Sequence, residues 1–336
     1  MGKPHGEFFF DSAAAFPGTK SAPLDKIAQL GTRSGFEGTA PGQVEGRPAL
    51  KKRARSKTYS DAVKRSLVRH ESPLKDSYYG SMLCCKRLDQ DGQKLTTRYC
   101  NARWCTTCNR IRTAQLINGY APVLARLRDL QFVTLTIPNV PASDLRGTIK
   151  AMTKSAQRIQ DAHKKRHSRG LQGWQLVGLR KLECTRNWKT DTFHPHFHYL
   201  VEGKEAAAAL VRDWLAANPT ATHKAQDLRK ARAGAEKEMF KYFSKLVTDQ
   251  KGVKVTDTAS LDVIFQAMRG ARVFQPVGIK KEVPEDIAAL QSVETDIKPV
   301  YQLWRWFGTD WVSDDGEALT GYVPSPQMEE LIKNIR

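Results

Sequence analysis

Long hydrophobic runs are missing from this sequence of 336 residues. No stretch approaches the roughly 18 consecutive apolar residues that a membrane-spanning helix needs. The N-terminal "GEFFFDSAAAF" is too short for a secretory leader and follows no basic stretch of note, so a cytoplasmic location is the default expectation. Internal repeats are absent too. Acidic residues are scarce beside basic ones: 35 Asp and Glu stand against 54 Lys and Arg, a net charge of +19. A charge of that size repels itself unless a polyanion neutralises it, which makes nucleic acid the leading partner. A basic solubilising surface and an anionic membrane surface are the competing readings. Cysteine is limited to Cys84, Cys85, Cys100, Cys105, Cys108 and Cys184. In a cytoplasmic chain their clustering argues for metal ligation rather than disulfides. The remaining composition, 40% hydrophobic and 26% charged, allows one large domain or two to three smaller ones with ample core.

Four segments follow along the chain. Residues 1–79 are read as a largely disordered tail: the first 60 are rich in Gly, Pro, Ser and Ala, and the basic run "KKRARSK" (51–57) offers an electrostatic contact for nucleic acid. Residues 80–120 hold the cysteine cluster. Residues 121–255 alternate strands and helices, and 256–336 carry no motif. Within the third segment, "QFVTLTI" (131–137) alternates as a strand and is stopped by Pro138. A basic helix is expected over about 143–168, with Ser143 as its N-cap and Lys164, Lys165 and Arg166 near its end as candidate DNA contacts. Strands at about 174–184 and 193–202, joined by "TRNWKTDT", form an antiparallel pair. Helices follow at about 204–217 and 235–249, with an ambiguous stretch at 222–230. Beyond them lie a helix near 258–269 and a strand-rich "YQLWRWFGTDWV" (301–312). The order implies an α+β fold with helices on one face of an antiparallel sheet.

"FHPHFHYLV" (193–201) packs three of the chain's eight histidines into five residues. In a strand, alternate side chains share a face. His194, His196 and His198 therefore form one row, and Pro195, Phe197, Tyr199 and Val201 turn to the opposite face and a core. Glu183, ending the preceding strand, is the nearest carboxylate. Two imidazoles, a carboxylate and open positions suit Mg²⁺ or Mn²⁺, with nitrogen ligands favouring Mn²⁺. A structural Zn²⁺ or a plain solvated face are the alternatives.

"AEKEMFKYFSKLVTD" (235–249) is amphipathic at about 100° per residue. Met239, Phe243 and Leu246 share one face; Glu238, Tyr242, Lys245 and Asp249 share the other, flanked by Lys241. Glu238 and Tyr242 lie about 6 Å apart along the axis, within reach of one reacting centre. Lys241 and Lys245 favour a phenolate that is otherwise rare below its free pKa of about 10. The bland alternative is an exposed helix with i,i+4 ion pairs.

In the cysteine segment, Cys105 and Cys108 form a C-x-x-C knuckle with Cys100 upstream. Tetrahedral Zn²⁺ needs four ligands, which Cys85 or its neighbour Cys84 would complete; Cys85 is the favoured choice. Arg110 and Arg112 on the flank "NRIR" suit contact with a DNA backbone. A redox C-x-x-C is the competitor, and it leaves Cys100 unexplained. Cys184 is read as a packed thiol.

Taken together, "FVTLTIPNV", "FHPHFHYLV" and "EMFKYFSK" resemble, in order and spacing, the three motifs of HUH endonucleases. The nearest likeness is to rolling-circle replication initiators of small bacterial plasmids with one catalytic tyrosine preceded four residues earlier by glutamate. "YCNARWCTTCNRIR" also resembles the zinc-finger-like region of that group. The resemblance covers roughly 82–250. It implies a palm-like, five-stranded antiparallel sheet with helices behind it, the histidines on the central strand and the tyrosine on a helix across the open face, preceded by a small zinc module. His196 and His198 would be paired metal ligands with Glu183 the third, and His194 is a less secure fourth. Tyr242 would attack the phosphodiester to leave a 5′-phosphotyrosine and a free 3′-OH. Glu238 would activate a water at termination, consistent with Leu246 standing where two-tyrosine relatives carry a second nucleophile. The implied partners are origin DNA, single-stranded or in an extruded hairpin, a host helicase and a DNA polymerase, with no membrane. A single-tyrosine relaxase or transposase, or a non-catalytic zinc-finger DNA-binding regulator, are the alternatives.

Overall fold

Apolar side chains spaced three and four apart, or two apart, decide which parts of this chain become helix and strand. The computed structural model describes residues 44–45, 47–92, 94–171, 173–232, 235–240, 247–250, 252–282, 292–295 and 301–336. In chain order the elements begin with β1 (Val44–Glu45), α1 (Arg47–Val68), α2 (Lys75–Ser81), β2 (Arg87–Asp91), β3 (Lys94–Thr97) and α3 (Thr106–Ala125). They continue with β4 (Leu130–Thr136), α4 (Ala142–Ser168), β5 (Gly178–Asn187), β6 (Thr192–Glu202), α5 (Lys204–Ala217), β7 (Asp227–Lys230) and α6 (Ala235–Phe240). The last are β8 (Thr248–Gln250), β9 (Val253–Val255), α7 (Thr258–Ala267), β10 (Phe274–Val277), β11 (Ser292–Thr295), β12 (Gln302–Phe307), β13 (Asp310–Ser313) and α8 (Pro326–Lys333). No described helix is long and apolar enough to cross a membrane.

Five strands in the order β10-β5-β6-β4-β7 form a wholly antiparallel sheet with the histidine strand β6 at its centre. The ambiguous 222–230 stretch supplies the edge strand β7. Side chains of Val133, Leu135, Phe197, Tyr199 and Val201 share one face, which α4, α5 and α7 cover. Helix α4 presents Leu145, Ile149, Met152, Ala156 and Ile159 at helical spacing. Trp214 of α5 is fully buried and donates its indole N–H to the Thr136 carbonyl at 3.1 Å. The other face is not open along its whole length. Tyr120 and Leu124 of α3, with Met239 and Phe240 of α6, pack there on Phe132, Leu179 and Leu200. Helices therefore flank both faces, correcting the one-sided arrangement expected from the element order.

The second sheet runs β1-β11-β3-β2-β12-β13. Its β2–β3 hairpin belongs to the cysteine segment, and β12 joins it from the far end of the chain, with Trp304 opposite Leu88. The described residues of 256–336 are thus no separate region. They supply strands to both sheets and α7 to the core, and their last helix packs on α1.

Other expectations are revised. The tail over 1–79 gives way from Arg47 to a 22-residue helix, because Leu50, Ala54, Tyr59, Val63 and Leu67 form a buried stripe between its basic residues. Pro141, not Ser143, caps α4; the Ser143 hydroxyl donates to Asp144 instead. The strand expected at 174–184 is displaced to 178–187. The helix expected over 235–249 is seen as α6, while 248–250 form a strand; 241–246 lie outside the described residues.

Gly178 sits where the backbones of β5 and β6 come closest, and a Cβ there would fall 1.8 Å from the Leu200 carbonyl oxygen. Gly178→Ala is expected to cost about 2–3 kcal/mol or more. Gly147→Ala, on α4 with open space around it, is expected to gain about 0.5–1 kcal/mol. Urea midpoints of the two variants check both.

Candidate active site

Strand register builds the site. Along β5–β6, Glu183 lies opposite His196 and Lys181 opposite His198; along β6–β4, Thr134 lies opposite His198 and Thr136 opposite His196. Paired residues share a face, so all of these point away from the α4–α5–α7 layer. Ligand atoms of Glu183, His196 and His198 lie within 4.8 Å of one another, and His198 Nε2 is 3.5 Å from Glu183 Oε2. The rings of His196 and His198 meet edge to face at 4.8 Å.

Hydrogen bonds set the imidazoles. His196 donates from Nδ1 to the His194 carbonyl at 3.1 Å, which leaves its Nε2 lone pair for a metal. His198 Nδ1 lies 3.1 Å from the Thr134 hydroxyl and presents Nε2 toward Glu183. His194 differs. It stacks on His196 at 4.9 Å between centroids, but its Nε2 engages the Thr136 hydroxyl, and it stands outside the three-residue cluster.

Lys181 was not anticipated, although its place two residues before Glu183 on one strand puts both on the same face. It is fully buried, with Nζ 2.8 Å from Glu183 Oε2. Burial would raise the Glu183 pKa, but the Lys181 ammonium, with His198 and His196, holds the carboxyl well below the usual range. Burial pushes His196 down to about 4 and lowers His194 as well. The ring nitrogen that would bind a metal is therefore unprotonated near neutral pH.

The helix leading to the tyrosine packs on this same face. Phe240 stacks on Phe274 of β10 at 6.0 Å, and the Thr113 hydroxyl of α3 donates to the Phe240 carbonyl at 3.3 Å. Glu238 belongs to α6, its side chain outside what is described. Lys241, Tyr242 and Lys245 lie outside the described residues.

Helix α3 begins at the second cluster. The sulfurs of Cys84, Cys100, Cys105 and Cys108 come within 4.8 Å of one another, with Cys84–Cys108 at 3.5 Å and Cys100–Cys108 and Cys105–Cys84 at 3.6 Å. Cys84 takes the place expected of Cys85. The cause is local: Cys85 adopts a left-handed φ of 51° where the chain turns into β2, and its carbonyl accepts from Trp311. Contacts from Cys100, Cys105 and Cys108 hold the Cys84 thiol far below its ordinary value, whereas burial pushes Cys85 up. Cys184 is packed in the core beneath the sheet.

The expected DNA contacts sit in different surroundings. Arg112 is committed to Asn109 Oδ1 at 2.9 Å and the Asn101 carbonyl at 2.8 Å, stitching the cysteine loop; Arg110 beside it is half-buried. Lys164, Lys165 and Arg166 are exposed at the end of α4, which covers the face opposite the histidines. Cations there complement the helix C-terminus.

Residues 92–205, which include Cys100, Cys105, Cys108, Glu183, His196 and His198, match a family model described as "Replication protein". Two curated relatives are both named "Protein rep". The chain is 32% identical over 116 residues to that of Streptococcus pneumoniae serotype 2 (strain D39 / NCTC 7466), covering 32% of this chain and 34% of the relative. It is 27% identical over 158 residues to that of Staphylococcus aureus, covering 45% of this chain and 66% of the relative. The chain thus spans about a third of the first and just under two thirds of the second. No solved structure matches it.

Acid should unfold the metal-stripped protein through this site. The His196 imidazole titrates at about 6.5 when unfolded and about 4 when folded, so between those values the unfolded chain binds more protons and stability falls with pH. Glu183 acts in the same direction further down: its depressed carboxyl adds stability that is lost as pH drops from the unfolded toward the folded value. His196 alone is expected to cost roughly 2 kcal/mol between about pH 7 and about pH 5. Urea titrations of wild type and His196→Gln at both pH values check this; parallel losses in the two proteins would remove His196 as the cause.

Proposed function

We propose that this protein is a plasmid rolling-circle replication initiator, an HUH-type endonuclease that nicks and rejoins origin DNA. The observation that carries the reading is the Glu183–His196–His198 cluster on the sheet face where α6, the helix leading to Tyr242, packs. The match of 92–205 to a family model described as "Replication protein" and the partial similarity to two relatives named "Protein rep" support it.

The donors fit a divalent cation: two imidazoles and one carboxylate make the mixed nitrogen and oxygen set that Mn²⁺ accepts and Mg²⁺ tolerates. Bound there, the cation would polarise a non-bridging oxygen of the scissile phosphate. Glu183, His196 and His198 would hold it, and Lys181 keeps Glu183 ionised. The Tyr242 hydroxyl gives up its proton to solvent, with Lys241 and Lys245 favouring the phenolate, and its oxygen attacks phosphorus. The bond to the 3′ oxygen breaks and that oxygen takes a proton from solvent, leaving a 5′-phosphotyrosine and a 3′-OH that a host polymerase extends while a host helicase opens the duplex. At termination Glu238 acts as general base toward water. Cys84, Cys100, Cys105 and Cys108 fit tetrahedral Zn²⁺ in a closed structural site. The work is cytoplasmic, where the plasmid is.

The test is incubation of wild type and Tyr242→Phe with labelled single-stranded origin DNA from the replicon carrying this gene, with Mn²⁺ or with EDTA. Denaturing gels should show a metal-dependent nick with DNA covalently held by wild type only. Glu238→Ala should nick normally but slow the water-dependent release by on the order of 10²–10⁴-fold. DNA that is bound yet never cleaved would favour a DNA-binding regulator instead.

A further inference from the structure

Helix α1 buries three charges beside the cysteine cluster. Lys57, Asp61 and Lys64 fall on one side of the helix, and both lysine side chains are 1% exposed. Lys57 Nζ donates to Asp61 Oδ2 at 2.9 Å and to the Cys84 carbonyl at 2.8 Å, and it lies 4.9 Å from the Trp306 ring centroid. Lys64 Nζ is 3.4 Å from Asp61 Oδ1. Between them, the Ser60 hydroxyl is 3.9 Å from Cys105 Sγ. Two buried ammonium groups against one carboxylate leave a positive charge in the interior, which is costly unless something nearby is negative. Four thiolates around one divalent cation carry two negative charges in excess. Lys64 follows Ser60 by one helical turn and shares its side of α1, the side that meets Cys105.

We propose that Lys57 and Lys64 are the built-in counter-charges of a zinc-tetrathiolate at Cys84, Cys100, Cys105 and Cys108. The second half of the basic helix then belongs to the metal module and not to a DNA-contacting arm. Both lysines are positioning residues, acting on the metal through the ligands and their backbone. The inference rests on the zinc reading of the cysteines.

Zinc content of the purified full-length protein, and the rate at which excess EDTA removes it into a zinc-sensitive dye, test the inference. Wild type should hold zinc, and Lys64→Met and Lys57→Met should release it on the order of tenfold faster. Asp61→Asn removes a competing negative charge and should hold zinc at least as firmly as wild type. Lysine variants that release at the wild-type rate would overturn the proposal. So would an Asp61→Asn protein that loosens as much as they do, since the triad would then be mere packing. If the Met variants do not fold, Asp61→Asn decides alone: unchanged or slower release supports the counter-charge role and faster release ends it. Wild type that carries no zinc would defeat the cysteine reading itself, a result separable from either.

Discussion

The antiparallel ladder between β5 and β6, paired from Gly178–Val201 to Asn187–Thr192, is the constraint on which the rest of the structure depends. Side chains alternate with a period of two, so a slip of one residue would send the whole histidine row into the hydrophobic layer. The same slip would put Phe197, Tyr199 and Val201 on the polar face. The buried face resists it, since α4 and α5 close over those three residues. Register also sets the chemistry: Glu183 reaches the imidazoles because it is paired with His196, and Lys181 reaches Glu183 because both lie on the same side of β5. Gly178 permits the close approach at one end of the ladder.

A second constraint joins the two ligand clusters. Helix α3 starts in the cysteine knuckle at Cys105 and Cys108 and ends with Tyr120 and Leu124 against the histidine face. Midway, Thr113 holds the end of α6. One helix therefore links the site suited to structural zinc with the element that precedes Tyr242. On the other side of the cysteines, α1 brings buried charge, and the same helix packs into the core of the five-stranded sheet through Tyr59, Val63 and Leu67. Loss of the cysteine site would be felt at the histidine face through α3.

Much of the five-stranded sheet could be read from the sequence because its signals are local. Phe132 to Ile137 and His194 to Val201 alternate cleanly, and Glu183 precedes the histidines by one hairpin. What stayed hidden depends on distant partners or on a single backbone angle. Helix α1 looked like a tail because Lys and Arg fill the positions between its buried residues. Spacing could not separate Cys84 from Cys85; a left-handed turn at Cys85 did. The pairing of β12 with β2, Gln302 opposite Gln90, crosses most of the chain and leaves no local pattern. Helix α3 on the histidine face, beside α6, follows from packing that element order does not specify.

On the proposed reading, Glu183, His196 and His198 hold one divalent cation on the histidine face. The most direct test of that claim is titration of metal-stripped protein with Mn²⁺, followed by electron paramagnetic resonance of the free ion, in wild type, His198→Ala and Glu183→Ala. About one Mn²⁺ should be held per wild-type chain, and that binding should be lost in both variants. Wild type that leaves the ion free, or variants that bind it as wild type does, would contradict the claim.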